Sequence, residues 1–500
     1  MLQNPEHLDD AAAYQVITAR DARFDGRLFV GVTSTGIYCR PICRVRTPLR
    51  KNCRFFDTPA QAEAAAFRPC LKCRPEIAPG AGLAWTTMDA SRTLARQAAD
   101  VLDAHAESAE PPSVAALAER LGVSDRHLRR IFQTEHGVTP LQYLQTRRLL
   151  LAKQLLTDTR LPVAQVALAS GFNSLRRFNA AFAESYRMSP SRLRGEVADE
   201  NAAPHAGLSV KLAYRAPCDV AALMRFFALR AIPGVEQVDG QRVRRTVRAG
   251  TLAPTAGWVE AEFASAPSVS QPALLHLRFA PGLAAASGGV VAAVRRWLDL
   301  DAMPQAIDAV LADLPGEAGL RLPGSLDAFE LAVRAVLGQQ VTVAAARTLA
   351  RRVVERFGTP ISTPWPDVSR VFPAPQSLAR AKVEDIAELG IIRTRAGAII
   401  AIAQAWPELT TRLVPKSRAE PLIECLCALP GIGPWTAHYI AMRALAWPDA
   451  FPPNDVAVLK AMRERFQTTT QREAEARAQA WQPWRSYAVL RLWNSLEKKS

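Results

Sequence analysis

Several familiar features are missing from this 500-residue chain. No apolar run reaches the roughly 18 to 20 residues needed to cross a bilayer, which excludes a membrane-spanning helix. The opening residues Met1 to Asp10 are polar and acidic, unlike the basic and then apolar start of a secretory signal, so the expected compartment is the cytoplasm, where thiols stay reduced. Solenoid repeats and low-complexity tails are also lacking. Acid is scarce: 47 Asp and Glu face 62 Lys and Arg, a formal charge of +15 that draws the chain to polyanions. The excess is local. Cys39 to Arg74 holds nine basic and two acidic residues, and Leu121 to Arg194 holds twelve and four. The Arg-rich composition of a GC-rich genome accounts for part of the bulk charge but poorly for such clusters, so nucleic acid is the expected partner.

At roughly 150 residues per domain the length predicts about three domains. Punctuation around Ile77 to Ala84 and the unpatterned stretch Val197 to Gly207 read as linkers. Between them, Met88 to Arg194 carries helical periodicity alone. Past Leu208 the period changes: Val210, Leu212 and Tyr214 alternate with other residues, as do Trp258 to Phe263 and Leu275 to Phe279, predicting an antiparallel sheet. From Leu326 the pattern is helical to the end. The expected fold is multidomain α+β. It comprises a small metal-binding domain (1–80), an all-α domain (81–197), an antiparallel-sheet subdomain (208–316) and an all-α domain (317–500).

Four of the eight cysteines form a Cys-x3-Cys and a Cys-x2-Cys pair: Cys39 with Cys43, and Cys70 with Cys73. In a reducing compartment such pairs indicate a metal, and two short bites fit one tetrahedral Zn. The alternative is four ordinary buried thiols. Cys53 has no partner at bite distance and reads as structural, and Cys218, Cys425 and Cys427 read as core residues in helical contexts. Tyr38 to Arg46 and Phe67 to Cys73 resemble the metal-binding domain of the Ada adaptive-response regulators over about residues 10 to 76. The resemblance implies that Cys39 is both Zn ligand and sacrificial nucleophile, taking a methyl group from a methylphosphotriester in DNA. A zinc-held thiolate remains nucleophilic at neutral pH, and Arg40, Arg44 and Arg46 would draw the phosphate close. A purely structural zinc ribbon is the alternative.

Pro112 to Glu135 reads as a capped helix, a glycine turn and a second capped helix; Leu161 to Tyr186 repeats the pattern. The pair resembles the double helix-turn-helix of AraC-type regulators, including Gly171-Phe172-Asn173-Ser174. Leu128, Ile131, Phe132, Leu175, Phe178 and Phe182 are expected in its core. Arg126, His127, Arg129, Arg130, Arg176, Arg177 and Asn179 are the expected exposed contacts to DNA.

Leu429 to Ala437 contains Pro430-Gly431-Ile432-Gly433-Pro434-Trp435-Thr436, a helix-hairpin-helix signature in which two glycines let a DNA backbone approach and helix-opening amides hold its phosphate. Asp455 follows at the separation of a catalytic aspartate in glycosylases of this class. A carboxylate there can offset the sugar cation formed as a base departs. From Leu208 onward the chain resembles 3-methyladenine DNA glycosylase II, the AlkA type. That resemblance implies that Trp435, Tyr439 and Trp493 wall the flipped-base pocket, with Gly431, Gly433 and Thr436 on DNA and Gln339 and Gln340 at the wedge. The AlkA type has leucine where this chain has Gln340, and a polar wedge fills the vacated stack less well.

Three further absences follow. Trp435 stands where bifunctional relatives carry a Schiff-base lysine, which implies a purely hydrolytic enzyme. No cysteine follows Cys427, which excludes the C-terminal iron–sulfur cluster of endonuclease III-like members. No Pro-Cys-His-Arg motif of O6-methylguanine methyltransferases is present. The resemblances together imply an alkylation repair and response protein. Its cofactor is Zn, and its partners are damaged double-stranded DNA and a promoter operator, with RNA polymerase a further partner. No membrane and no nucleotide cofactor are expected. The rival reading is a regulator whose second half only binds DNA, against which stand Asp455, Trp435 and Tyr439. A third reading makes the front half a mere tether to DNA.

Overall fold

The structure, a computed structural model, describes residues 8–80, 90–106, 110–197, 207–249, 254–264, 273–314, 316–413 and 419–497. Most of the expected linker stretches, 81–84 and 198–206, lie outside the described residues. Two compact units form: residues 1–216 with 264–291, and residues 217–263 with 292–500. No helix among the described residues is long and apolar enough to cross a membrane.

The first unit opens with helix α1 (Asp10–Ala19) and strands β1 (Phe29–Val32), β2 (Ile37–Cys39) and β3 (Cys53–Phe56), then α2 (Pro59–Ala64) and β4 (Arg68–Pro69). The sheet order is β3-β1-β2-β4, antiparallel except for the β2–β4 pair. Among the described residues seven helices follow: α3 (Ala90–Ala104), α4 (Val114–Arg120), α5 (Asp125–His136), α6 (Pro140–Asp158), α7 (Val163–Ala169), α8 (Leu175–Tyr186) and α9 (Pro190–Val197). Local chemistry sets their ends. Ser113, Ser124 and Ser174 cap α4, α5 and α8 with their hydroxyls, Gly137 ends α5 in the left-handed region, and Thr139, Pro140 and Gln142 open α6 with a capping box. Five of the six expected core residues are buried, whereas Leu175 is 45% exposed because it opens α8 on its outer side.

The metal-binding segment is bonded to α6 through buried polar groups. Lys153, 2% exposed, pairs with Glu76 at 2.5 Å; Arg74 bonds Glu76 at 2.9 Å and Asp158 at 2.6 Å. Tyr38 and Thr146 both donate to Glu63 at 3.1 Å. The unit also takes in β5 (Leu208–Tyr214), antiparallel to the later strand β9 (Ala273–Phe279). Strand β5 docks on α6: Gln154 donates to the Lys211 carbonyl at 2.9 Å, and the Lys211 amide donates to Asp158 at 3.1 Å.

In the second unit, α10 (Val220–Arg230) precedes an antiparallel ladder of β6 (Glu236–Asp239), β7 (Arg242–Ala249) and β8 (Thr255–Phe263). Periodicity missed the four-residue β6 and also β7, where Arg242, Arg244, Arg245 and Arg248 hide the alternation. Arg245 belongs to a buried quartet, in which it and Arg334 each bond both Glu236 and Glu330, while Arg242 and Arg244 pair with Glu262 and Glu260 on β8. Helices α11 (Ser287–Trp297) and α12 (Pro304–Val310) come next in the chain. The remaining elements are α13 (Ala328–Leu337), α14 (Val343–Phe357), β10 (Thr359–Pro360), β11 (Arg370–Val371), α15 (Pro375–Ala379), α16 (Val383–Ala387), α17 (Arg393–Arg412), α18 (Glu420–Cys427), α19 (Pro434–Ala444), α20 (Val456–Phe466), α21 (Gln471–Ala478) and α22 (Arg485–Glu497). The short β10–β11 ladder interrupts the expected all-helical run. Phe329, Val333, Val336, Ile399, Leu426 and Ile440 pack α13, α17, α18 and α19 into one core, which holds the hairpin between α18 and α19 in place.

Cysteine placement corrects two expectations. Cys218 lies in the loop before α10 and Cys427 is exposed at the end of α18, so neither is a helical core residue. Cys53 is buried on β3, as a structural residue should be.

Candidate metal centre and candidate active site

Strand β2 delivers Cys39, the turn after it delivers Cys43, and the segment after β4 delivers Cys70 and Cys73. Backbone bonds fix both pairs: the Cys43 amide donates to the Arg40 carbonyl at 3.1 Å, and the Cys70 amide to the Tyr38 carbonyl at 3.0 Å. All four sulfurs lie within 4.8 Å of one another. Tetrahedral sulfur at about 2.3 Å from a zinc ion places sulfurs about 3.8 Å apart, so the donor set fits. Without a metal the four thiols hydrogen-bond one another. Hydrogen bonds, from Cys43 foremost, raise Cys39, and those from Cys39 foremost raise Cys73 while lowering Cys70 and bringing Cys43 to about 7. A bound dication replaces the protons of those bonds.

Arg40 does not face an incoming phosphate. It is 1% exposed, paired with Asp25, and bonded through Nη1 to the Cys73 carbonyl at 3.0 Å. It buttresses the metal loop, while Arg44 and Arg46 are exposed. A cavity of about 420 Å³ beside the loop is lined by Cys43 and Cys73, with Arg44, Lys72, Lys211 and Leu274. Cys39 itself is only 4% exposed.

On α5, Arg126, Arg129 and Arg130 are exposed; Arg129 pairs with Asp125 at 3.1 Å, one turn earlier. On α8, Arg176, Arg177 and Asn179 are exposed. Both helices thus present basic faces.

In the second unit, Asp455 caps α20, its Oδ1 accepting the Val458 amide at 2.8 Å. Two indoles also reach this 6% exposed carboxylate: Trp435 Nε1 donates to Oδ2 at 2.8 Å, and Trp493 Nε1 donates to Oδ1 at 3.2 Å. Trp435 and Tyr439, one turn apart on α19, stack at 5.2 Å and 8°, and Trp493 on α22 stands 6.4 Å from Tyr439. The structure therefore brings Asp455, Trp435, Tyr439 and Trp493 together. Uncharged N–H donors fix the carboxylate beside an aromatic wall suited to a flat, electron-poor ring.

The hairpin approaches α17 closely: Gly431 has a φ of 79°, and a Cβ there would lie 2.9 Å from that of Ala398. Gly433 precedes α19, which has no side-chain cap. Thr436 is 3% exposed and its hydroxyl accepts from Gln339 Nε2 at 3.1 Å; the same nitrogen donates to the Gly431 carbonyl at 3.0 Å. The Thr436 and Gln339 side chains thus brace the hairpin and do not reach outward. Gln340 is exposed at a φ of 53°, between Gln339 and exposed Val341.

Sequence reasoning missed Phe226, Arg230 and Arg443. Arg443 donates to the Tyr439 hydroxyl at 2.8 Å, and both Arg443 and Arg230 lie against the Phe226 ring. Arg443 sits one turn beyond Tyr439 on the Trp435 face of α19, which spacing along the helix would have found. Phe226 lies some two hundred residues earlier, with no local signal.

Four family models match the chain: the metal binding domain of Ada over residues 12–76, a helix-turn-helix domain over 117–196, the AlkA N-terminal domain over 209–327, and the HhH-GPD superfamily base excision DNA repair protein over 333–486. The chain is 36% identical to a Mycobacterium tuberculosis protein named "probable bifunctional transcriptional activator/DNA repair enzyme AlkA", over 98% of this chain and 97% of that one. It is 35% identical to DNA-3-methyladenine glycosylase 2 of Escherichia coli, covering 56% of this chain and 95% of the relative. It is also 36% identical to the bifunctional transcriptional activator/DNA repair enzyme Ada of Escherichia coli, over 28% of this chain and 37% of the relative.

Proposed function

The chain belongs to the family of bifunctional transcriptional activator/DNA repair enzymes named AlkA, and from that premise we propose how its residues divide the work. It is a zinc-binding, DNA-binding repair protein that excises alkylated bases of the 3-methyladenine class and carries an AraC-type regulatory module. The observation carrying the excision site is the carboxylate of Asp455 fixed by two pocket indoles. A base alkylated on a ring nitrogen is a cation that stacks on Trp435 and Tyr439, worth about 0.5–2 kcal/mol. As its bond to C1′ breaks, the electron pair neutralises the base and positive charge develops on the sugar. Asp455 offsets that charge and orients the water that completes hydrolysis. Gly431 and Gly433 give backbone access to a DNA phosphate, and Gln340 with Val341 occupies the wedge position.

At the metal centre, Cys39, Cys43, Cys70 and Cys73 would hold Zn, which supplies a thiolate that stays ionised at neutral pH. Cys39 accepts the methyl group of a methylphosphotriester, forming a thioether and leaving a phosphodiester, with Arg44 and Arg46 as phosphate partners. The acceptor loses one negative charge, which strengthens binding of the basic faces of α5 and α8 to an operator, where RNA polymerase is the further partner. The cytoplasm is the compartment that supplies both DNA and reduced thiols.

Incubation of the whole chain with methylated duplex DNA tests both sites. Asp455→Asn should slow base release about a hundredfold or more without weakening DNA binding. Peptide mapping should find the retained methyl group on Cys39. Near-normal release by Asp455→Asn would refute the first assignment, and a methyl group on Cys43 or Cys73, which line the cavity, would refute the second.

A further inference from the structure

Arg443 takes no part in binding a cationic base or in offsetting the sugar cation. It is 8% exposed, and all three of its nitrogens meet fixed acceptors. Nε donates to the Pro323 carbonyl at 2.8 Å, Nη2 to the Gly324 carbonyl at 3.1 Å, and Nη1 to the Tyr439 hydroxyl at 2.8 Å. Its Cζ lies 4.8 Å from the Phe226 ring centre and 5.6 Å from that of Tyr439, and Arg230 covers Phe226 at 3.8 Å. A buried cation held this firmly beside a pocket for cationic bases serves no purpose in binding them.

Guanidinium donates and never accepts. The Tyr439 oxygen is therefore the acceptor in this bond, and the phenol proton must point away from Arg443. The ring is half-buried in the same wall as Trp435, on which it stacks. On the glycosylase reading, the acceptor this proton would meet is the bound base. Burial pushes the Tyr439 phenol up, but Arg443, Arg230 and Arg334 outweigh it and leave the group below its usual value of 10, a stronger donor than free phenol.

We propose that Arg443 is a positioning residue that aims the Tyr439 hydroxyl at the bound base, so that the phenol protonates a departing base that carries no formal charge. The proposal rests on the glycosylase reading of this pocket. A cationic base needs no proton, because the electron pair of the broken C1′–N bond neutralises it. An uncharged base would leave as an anion. Instead the Tyr439 proton moves onto it, the electron pair stays on the base nitrogen, and the phenolate is held by the Arg443 N–H. Water then adds to C1′, and the proton it releases restores the phenol.

The test is single-turnover release from duplex oligonucleotides, using the full chain and one of two lesions: cationic 7-methylguanine or uncharged hypoxanthine. Tyr439→Phe keeps the stacked ring and removes only the proton. The ratio of hypoxanthine to 7-methylguanine release should fall about 10- to 100-fold in this variant, and in the same direction for Arg443→Met. A purely structural role would lower both rates by one factor and leave the ratio unchanged, which would overturn the proposal. So would wild-type protein that releases 7-methylguanine but no hypoxanthine. Wild-type protein releasing neither base would instead remove the glycosylase reading beneath it.

Discussion

Glu76→Gln should loosen the middle of the first unit far more than a change of one atom suggests. The Glu76 side chain is fully buried and answers two cations, Lys153 at 2.5 Å and Arg74 at 2.9 Å. Burial pushes its carboxyl up, but Lys153 and Arg74 outweigh this and hold it below the ordinary range. Removing one member of such a buried pair strands the other, at a cost of about 3–5 kcal/mol, whereas replacing both with apolar groups is often neutral. The stranded ammonium is on α6, between its bonds to Glu63 and β5. Hydrogen exchange of α6 amides at pH 7 should therefore accelerate about 10²- to 10⁴-fold in Glu76→Gln. The double variant Glu76→Gln with Lys153→Met should recover most of the protection. Because a depressed carboxyl stabilises only above its unfolded value and loses that contribution as pH falls through its folded value, the difference between wild type and variant should close in acid. Protection altered by less than about a factor of three, or a double variant no better than the single one, would refute the assigned cost.

Glu63 should act in the opposite sense. Burial raises it to about 8, against the lowering effects of Tyr38, Thr146 and Lys153. Its contribution is complete below about 4.5 and is lost as pH rises through about 8, so α6 protection should decline across that window in wild type and stay flatter in Glu63→Gln. Protein from a reducing host should carry about one Zn per chain, and metal analysis after Cys43→Ser should show it depleted. Borohydride should trap no covalent DNA adduct during base release, since Trp435 replaces the amine such trapping requires; a trapped adduct seen by gel would contradict hydrolysis without a Schiff base.

What was legible in the sequence was whatever depends on short spacing. Cys39 and Cys43, Cys70 and Cys73, the serine caps of α4, α5 and α8, and the glycines of the hairpin each state their chemistry within a few residues. The grouping of Asp455 with Trp435, Tyr439 and Trp493 came through resemblance, since nothing local ties position 455 to 493. Partnership across the fold was invisible. Arg40 reads as a phosphate ligand among basic neighbours, yet Asp25 and the Cys73 carbonyl draw it inward. Leu175 reads as core by periodicity, yet it sits where α8 begins. Thr436 reads as an outward hydroxyl until Gln339, almost a hundred residues earlier, claims it. The arginines of β7 conceal a strand because their carboxylates come from other elements, those of Arg245 from β6 and α13 and those of Arg242 and Arg244 from β8.

The docking of β5 on α6 bears on how such a protein is taken apart, and on how its halves can be exchanged. A protease site inserted between 198 and 206 would cut regulator from enzyme in sequence. The cut ends would nonetheless remain associated, through Lys211 on Gln154 and Asp158 and through the Arg215 guanidinium on the Asp25 and Gly80 carbonyls. Fusion here has gone past tethering: the first strand of the repair half has become part of the regulator's own body, and an exchange of halves between relatives would have to carry these side chains with it.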